Sequence, residues 1–395
     1  MRVAIVLMKG VDGCGVTRFA IEHQKELRKT GHVCDIFAFN NKYTRTKAHS
    51  DLDVNYYSDF TKNDFISYDI LLLNSYPKEF NENEFEYFKS LKLKKVAVMH
   101  EILRQNIGRI PHIWDWIGAC DLVTSFSDEM DFTQDLFEHF PNAHYFSYKM
   151  AMSDDEIDSL YNSSFVNKKD RLVYFGRWTT MKDPSRLFLY KKIDPSYDLS
   201  MIGIERSIGA KFDILDNELC EYCSVNSGLL SSKDDYDNYQ KDFNMVQVFP
   251  PTMRNVALDI LKESKYGASF YHLKNNRINN LGNRMEYTQI EISTVCLPVF
   301  DTDWGKHTID NLTGKTFYEL GDNAIYSDSD NLKDSLDEMK HLSQDEYNIR
   351  RKNIYDLIKR NYGSTENIKY FYDQVVNEAN LYKPQKKFIV QSLFD

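Results

Sequence analysis

Two successive series of short, almost uninterrupted apolar runs, interspersed with helical patterns, constrain the fold more than any other feature of the chain. In the first third, VAIVLM (3–8), VCDIFAF (33–39), DILLLNS (69–75), KVAVMH (95–100) and DLVTSF (121–126) read as buried strands, with helical segments between several of them. The polar stretch SDDEIDSLYNSSFVNKKD (153–170) reads as a link. Beyond it the alternation restarts with RLVYFG (171–176), DLSMIG (198–203), MVQVF (245–249), ASFYHL (268–273) and CLPVF (296–300), and helical patterns follow from about 331 to 378. Strands that lack polar alternation are buried on both faces, which calls for a parallel sheet covered by helices on each side. The expectation is an α/β protein of two Rossmann-like domains, residues 1–165 and 171–362, whose parallel sheets face across a cleft. A helical tail over 363–395 has room to cross back to the first domain. Ligands bind such folds outside the carboxyl ends of the strands, where loops and helix N-termini converge.

Composition removes several classes. No run approaches the roughly 20 apolar residues needed to cross a bilayer, and MRVAIVLMKG is too short for a signal peptide's apolar region plus cleavage site. The expectation is a cytoplasmic protein with no membrane partner. The six cysteines are scattered, and Cys220 and Cys223 form a single CxxC with no second ligand pair, so no metal site is expected. The formal net charge of −10 argues against a protein that coats nucleic acid non-specifically, while leaving room for a local basic cleft.

Four motifs can carry chemistry. Gly10, Gly13 and Gly15 follow the first strand, where small residues let backbone N–H groups approach a phosphate or sugar at a helix N-terminus. Their order, G-x-x-G-x-G, is not the dinucleotide fingerprint, and a merely tight strand-to-helix turn explains it equally well. GRWTTMK (176–182) places Arg177 and Lys182 at a strand end and a helix start. Two cations there can face a diphosphate and favour the charge that grows on a leaving oxygen, or can be plain solvated cations. In EYTQIEISTVCLPVF (286–300), a helix bearing Glu291 runs directly into a strand, with Pro298 seven residues on and Glu286 five residues before. Positions i and i+5 lie about 140° apart on a helix, so Glu286 would act from the first turn or the loop before it. Lastly, His100 and Glu101 end a strand. A carboxylate there can act as base, nucleophile or stabiliser of oxocarbenium charge, and the histidine can hydrogen-bond a sugar. The plainer alternative is a satisfied histidine beside an exposed Glu.

Beyond the fold class, the chain resembles the DNA α-glucosyltransferases of T-even bacteriophages. The resemblance rests on the opening MRVAIVLMKGVDGCGVTRFAIE, YTRTKAH (43–49), LLLNS (71–75), the S-x-S-D ending of the strand at Asp121–Asp128, GRWTTMK, MIGIERS (201–207) and EYTQIE, in the right order from residue 1 to about 300. It implies a GT-B fold and a glycosyltransferase that moves a sugar from a UDP-sugar to the hydroxymethyl oxygen of 5-hydroxymethylcytosine in double-stranded phage DNA. It also implies retention of configuration, no obligatory metal or other cofactor, and a product that protects DNA from nucleases in the infected bacterial host. Arg177 and Lys182 would hold the diphosphate, and Glu291, seven residues before Pro298, the ribose. Gly13, Gly15, Glu205, Arg206 and Glu286 would complete the donor site. His100 matches the His of the family's His-Asp pair, but Glu101 stands where Asp is expected. The extra methylene shifts the carboxylate by about a bond length, enough to suit a different sugar. The donor is glucose by family default, or a pentose such as arabinose. Lys42, Arg45, Lys47, Arg104 and Arg109 would contact DNA phosphates from one lip of the cleft. Competing readings are a GT-B transferase with a non-DNA acceptor and a non-catalytic DNA- or nucleotide-binding module.

Overall fold

The computed structural model describes residues 1–7, 15–39, 53–75, 81–100, 112–125, 136–164, 168–176, 186–204, 247–252, 254–270, 285–301, 320–327 and 330–377. The first sheet contains β1 (Arg2–Leu7), β2 (Val33–Phe39), β3 (Val54–Tyr57), β4 (Ile70–Leu73), β5 (Lys94–Met99), β6 (Leu122–Ser125) and β7 (Tyr145–Ser147). Its order is β3-β2-β1-β4-β5-β6-β7. The second contains β8 (Lys169–Gly176), β9 (Asp198–Ile204), β10 (Gln247–Thr252), β11 (Ser264–Ser269), β12 (Leu297–Asp301) and β13 (Ile325–Ser327), ordered β10-β9-β8-β11-β12-β13. Every pairing in both sheets is parallel. The order therefore reverses once in each sheet, between β1 and β4 and between β8 and β11. At such a reversal the connections leave in opposite directions and open a crevice beyond the strand ends.

The helices are α1 (Gly15–Lys29), α2 (Glu82–Ser90), α3 (Ile113–Gly118), α4 (Asp154–Ser163), α5 (Arg186–Ile193), α6 (Arg254–Lys262), α7 (Tyr287–Val295), α8 (Leu332–His341), α9 (Gln344–Tyr362) and α10 (Ser364–Asn377). On β1, Val3, Ile5 and Leu7 belong to the apolar cluster that includes Phe19 of α1, and Ala4 and Val6 to the one that includes Trp116 of α3. That is the period of two a strand imposes. As its position in the sequence suggests, Gly31 ends α1: its φ is 82°, the Gly31 N–H donates to the Arg28 carbonyl at 3.1 Å, and the His32 N–H to the Leu27 carbonyl at 2.8 Å. These paired bonds close a Schellman turn, whose left-handed residue favours glycine.

Four readings differ from the structure. The short strands β3, β7 and β13 carry no strong apolar run because each is the edge of its sheet. The strand expected at 268–273 is β11, at 264–269. There Ser264 accepts from Arg171 Nε at 3.0 Å, so polar residues begin a buried strand. The polar link holds a helix, α4, whose acidic first turn (Asp154, Asp155, Glu156) suits the positive end of the helix dipole. The helical pattern near 331–378 divides into three helices, broken at Leu342–Ser343 and at Gly363.

The break at Gly363 lies beside the start of α4. The Met152 N–H donates to the Tyr362 carbonyl at 2.9 Å, and the Thr365 N–H donates to Asp154 Oδ2 at 2.9 Å. A Cβ on Gly363 would stand 2.6 Å from the Lys359 carbonyl oxygen and collide with the Asp154 carboxylate, so only glycine lets the two segments approach. Helix α10 then packs on α1. Phe371 meets Phe19 at 5.8 Å, Phe146 at 5.3 Å and His23 at 4.8 Å between ring centroids, and Ser364 Oγ donates to Glu26 at 2.9 Å.

Candidate active site at the strand ends

At the reversal in the first sheet, Asn74 follows β4 and His100 follows β5. The Asn74 N–H donates to the Val6 carbonyl at 3.0 Å, and its side-chain Nδ2 donates to the Val16 carbonyl in the first turn of α1 at 2.9 Å. Its Oδ1 is thereby turned to accept from His100 Nε2, while His100 Nδ1 lies 3.0 Å from the Tyr148 hydroxyl. These partners place the imidazole proton on Nε2 and make Nδ1 the acceptor from Tyr148. Burial pushes the His100 pKa down to about 3, so the ring is neutral at neutral pH. His23, buried behind it and 3.2 Å from the Tyr372 hydroxyl, is likewise held near about 3, by burial first and by His100 second. Among the described residues, Asn74, His100 and Tyr148 line this strand end with polar and aromatic groups that carry no charge.

The second sheet presents the opposite electrostatics. Helix α7 begins at the Glu286 N-cap, where Gln289 Oε1 accepts from the Glu286 N–H at 3.0 Å, and it carries Glu291, only 4% exposed. Arg254 in the first turn of α6 donates from Nε to Glu291 Oε1 at 2.5 Å and sets Nη2 2.6 Å from Glu156 Oε1. The other Glu156 oxygen accepts from Arg18 of α1, whose Nη2 is 2.7 Å from Glu22 Oε1. Five charges from four helices thus alternate in sign along a line buried at both ends and half-buried between, from Glu22 through Arg18, Glu156 and Arg254 to Glu291. Burial opposes the charge on Glu156, but Arg18 and Arg254 outweigh it and hold its pKa at about 2. At the far end burial prevails, and the Glu22 carboxyl is raised.

The C-terminal end of α7 is fixed by two cations. Arg351 of α9, fully buried, donates to the carbonyls of Ser293, Thr294 and Cys296 at 2.9, 2.7 and 2.8 Å. Lys168 donates to the carbonyls of Val295, Lys262 and Ser264 at 2.9, 3.0 and 2.9 Å, and burial lowers its pKa to about 8. The last carbonyls of a helix lack intrahelical partners and carry partial negative charge, so buried cations there satisfy and stabilise them. The other end of α7 reaches α1, where a Cβ on Gly15 would make ordinary contact, 3.8 Å, with Tyr287 Cδ2. The first turn of α1 therefore touches both regions, Asn74 through Val16 and α7 through Gly15.

Of the residues singled out in the sequence, His100 and Gly15 stand at the first strand-end region and Glu286 and Glu291 on α7. Gly13, Lys42, Arg45, Lys47, Glu101, Arg104, Arg109, Arg177, Lys182, Glu205 and Arg206 lie outside the described residues. Sequence reasoning missed Arg254 and Glu156, which carry no motif signal, and Arg18, which lies inside the opening block but was given no role. It also missed Asn74, which sits at the end of an apolar run and was legible as a strand-end polar residue. Among the described residues no group of His, Cys, Asp or Glu is placed to hold a metal ion, and no helix is long and apolar enough to cross a membrane. A cavity of about 540 Å³ lined by Tyr68, Asp69, Tyr87 and Lys94 lies by the amino ends of β4 and β5, at the end of the sheet opposite His100.

Two parallel sheets, each reversing once and joined through α4 and α10, make this a GT-B glycosyltransferase fold. A solved α-glucosyltransferase in complex with UDP superposes with a TM-score of 0.74 at 20% identity, covering 95% of this chain and 99% of that one. One in complex with UDP-glucose and DNA containing an abasic site gives 0.74 at 19% identity over the same shares. In sequence, the chain resembles the DNA alpha-glucosyltransferase of Enterobacteria phage T4. The two are 25% identical over 409 residues, spanning 92% of this chain and 97% of the relative. No family model matches.

Proposed function

We propose that the chain transfers a sugar from a UDP-sugar to the hydroxymethyl oxygen of 5-hydroxymethylcytosine in double-stranded DNA, with retention and with no obligatory metal, and that the product shields phage DNA from nucleases in the host cytoplasm. The observation that carries this reading is the likeness to a DNA alpha-glucosyltransferase along nearly the whole length of both chains. The solved neighbour with UDP-glucose and DNA adds support for the pairing of donor and acceptor. The sugar is glucose by likeness, and Glu101 in place of Asp favours testing pentoses such as arabinose beside it.

The site supports a division of labour. Glu291, buried on α7, offers a carboxylate to the ribose hydroxyls, and Glu286 and the Gly13–Gly15 loop lie toward the sugar. Arg177 and Lys182 face the diphosphate, with Glu205 and Arg206 beside it. As the bond from the anomeric carbon to the diphosphate oxygen breaks, negative charge gathers on that oxygen, and fixed cations stabilise this state more than the ground state. The acceptor oxygen bonds to the anomeric carbon and gives up its proton to the departing diphosphate. Positive charge on the sugar ring meets a neutral His100, which does not repel it, and the Glu101 carboxylate beyond. Lys42, Arg45, Lys47, Arg104 and Arg109 contact phosphates of the duplex, so the rate falls steeply with salt.

The test is to incubate the protein with hydroxymethylated duplex and a panel of UDP-sugars, digest to nucleosides and weigh them. One donor should add one sugar residue to 5-hydroxymethyl-2′-deoxycytidine. No mass gain with any donor sinks the proposal, and donor turnover indifferent to DNA points to another acceptor.

A further inference from the structure

Resting on the reading of Glu291 as the ribose-binding acid, we infer that Arg254 is a positioning residue for donor recognition, one that aims the Glu291 carboxylate at the ribose. Glu291 is 4% exposed, and the Arg254 bond occupies Oε1 only; Oε2 accepts no hydrogen bond among the described residues. Oε2 keeps part of the side chain's residual 6% exposure, so a ligand hydroxyl can reach it, and a hydrogen bond to a charged acceptor is about twice as strong as a neutral one. A vicinal diol supplies such donors, and the fixed Nε contact decides which oxygen it meets.

Arg254 is itself held in place. Its Nη2 rests 2.6 Å from Glu156 Oε1, and Glu156 is tied in turn to Arg18. The guanidinium is planar, so fixing Nη2 on one acid fixes the direction of Nε toward the other. Three carboxylates share two guanidiniums along the line, with the more exposed Lys25 approaching Glu22 only at 3.7 Å. Among the described residues the row thus carries one more acid than guanidinium, with the exposed Lys25 at its far end. Arg254 makes no contact with the diphosphate or the sugar in this account, and its effect passes through Glu291.

The test compares the affinities of UDP and 2′-deoxy-UDP by titration calorimetry in the full chain. Arg254→Met should weaken UDP binding about tenfold and collapse the preference for UDP over the deoxy analogue, while Arg254→Lys restores part of that preference. Because Arg254→Met strands two acids, the charge-balanced Arg254→Met/Glu156→Gln is measured beside it and is expected to fold and show the same lost preference. A merely structural role would weaken both nucleotides alike and leave their ratio unchanged. An unchanged ratio in the balanced variant overturns the inference. Glu291→Gln separates the two claims: if it too leaves the ratio unchanged, the ribose reading itself fails, whereas a collapsed ratio there beside an intact one in the Arg254 variants faults only the role given to Arg254.

Discussion

The two strand-end regions solve the same geometric problem with opposite electrostatics. Beside β4 and β5, Asn74, His100 and Tyr148 join through neutral hydrogen bonds, and burial keeps the imidazole unprotonated. Beside β11 and β12, Glu291 ends a row of alternating charges, on a helix whose far end is gripped by Arg351 and Lys168. A transfer reaction explains the contrast. On the proposed function, the half that would face a sugar gaining positive charge must not add more, and the half that would hold a charged nucleotide needs a rigid polar frame that does not reorganise when charge moves.

The largest expected effect breaks the frame of the charged half. Arg351→Met orphans three helix-end carbonyls in the core and should cost about 4 kcal/mol of stability, several times a typical hydrogen bond, read as a lower midpoint in urea. Next, Glu291→Gln keeps the shape of the site but weakens its acceptor. It should lower kcat/KM for the donor about a hundredfold, near 2.7 kcal/mol, with a folded protein by circular dichroism.

The neutral half is probed by pH. His23 and His100 have folded pKa values of about 3, below the 6.5 of an unconstrained imidazole. The unfolded chain therefore takes up protons first as pH falls. Their contribution to stability is complete above pH 6.5 and is lost progressively from there down toward pH 3, at up to about 1.4 kcal/mol per pH unit for each histidine. Glu156, with its pKa at about 2, loses its own contribution lower, as pH falls below the usual carboxylate range. Between pH 6.5 and 5 the two histidines set a rising slope that the raised Glu22 carboxyl opposes, since it takes up its proton first in the folded chain, and His23→Gln should flatten that slope in urea titrations at stepped pH. The smallest effect is Tyr148→Phe, which removes one neutral bond to His100 and should cost about 1 kcal/mol, seen as a modest loss of turnover with donor affinity unchanged.

Buried parallel strands announce themselves through unbroken apolar runs, which is why the core of both sheets was legible, while the short edge strands, with little to bury, were not. The helix-to-strand run through Glu291 was legible because spacing is local. The charged row was hidden for the converse reason. Arg18, Glu22 and His23 look like the solvated face of α1, and only the distant α4 and α10, with Glu156 and Phe371, cover them. Arg351 reads as an ordinary cation of a long polar helix until α7 is packed against it. Burial produced by segments 58 to 349 residues apart leaves no trace in local periodicity.

The central claim meets its most direct trial in a crystal structure with a UDP-sugar and hydroxymethylated duplex bound. Both ribose hydroxyls should lie within hydrogen-bond distance of Glu291, with Arg254 still on its other oxygen and the sugar turned toward His100. A nucleotide bound away from α7, with Glu291 still engaged by Arg254 alone, would contradict it.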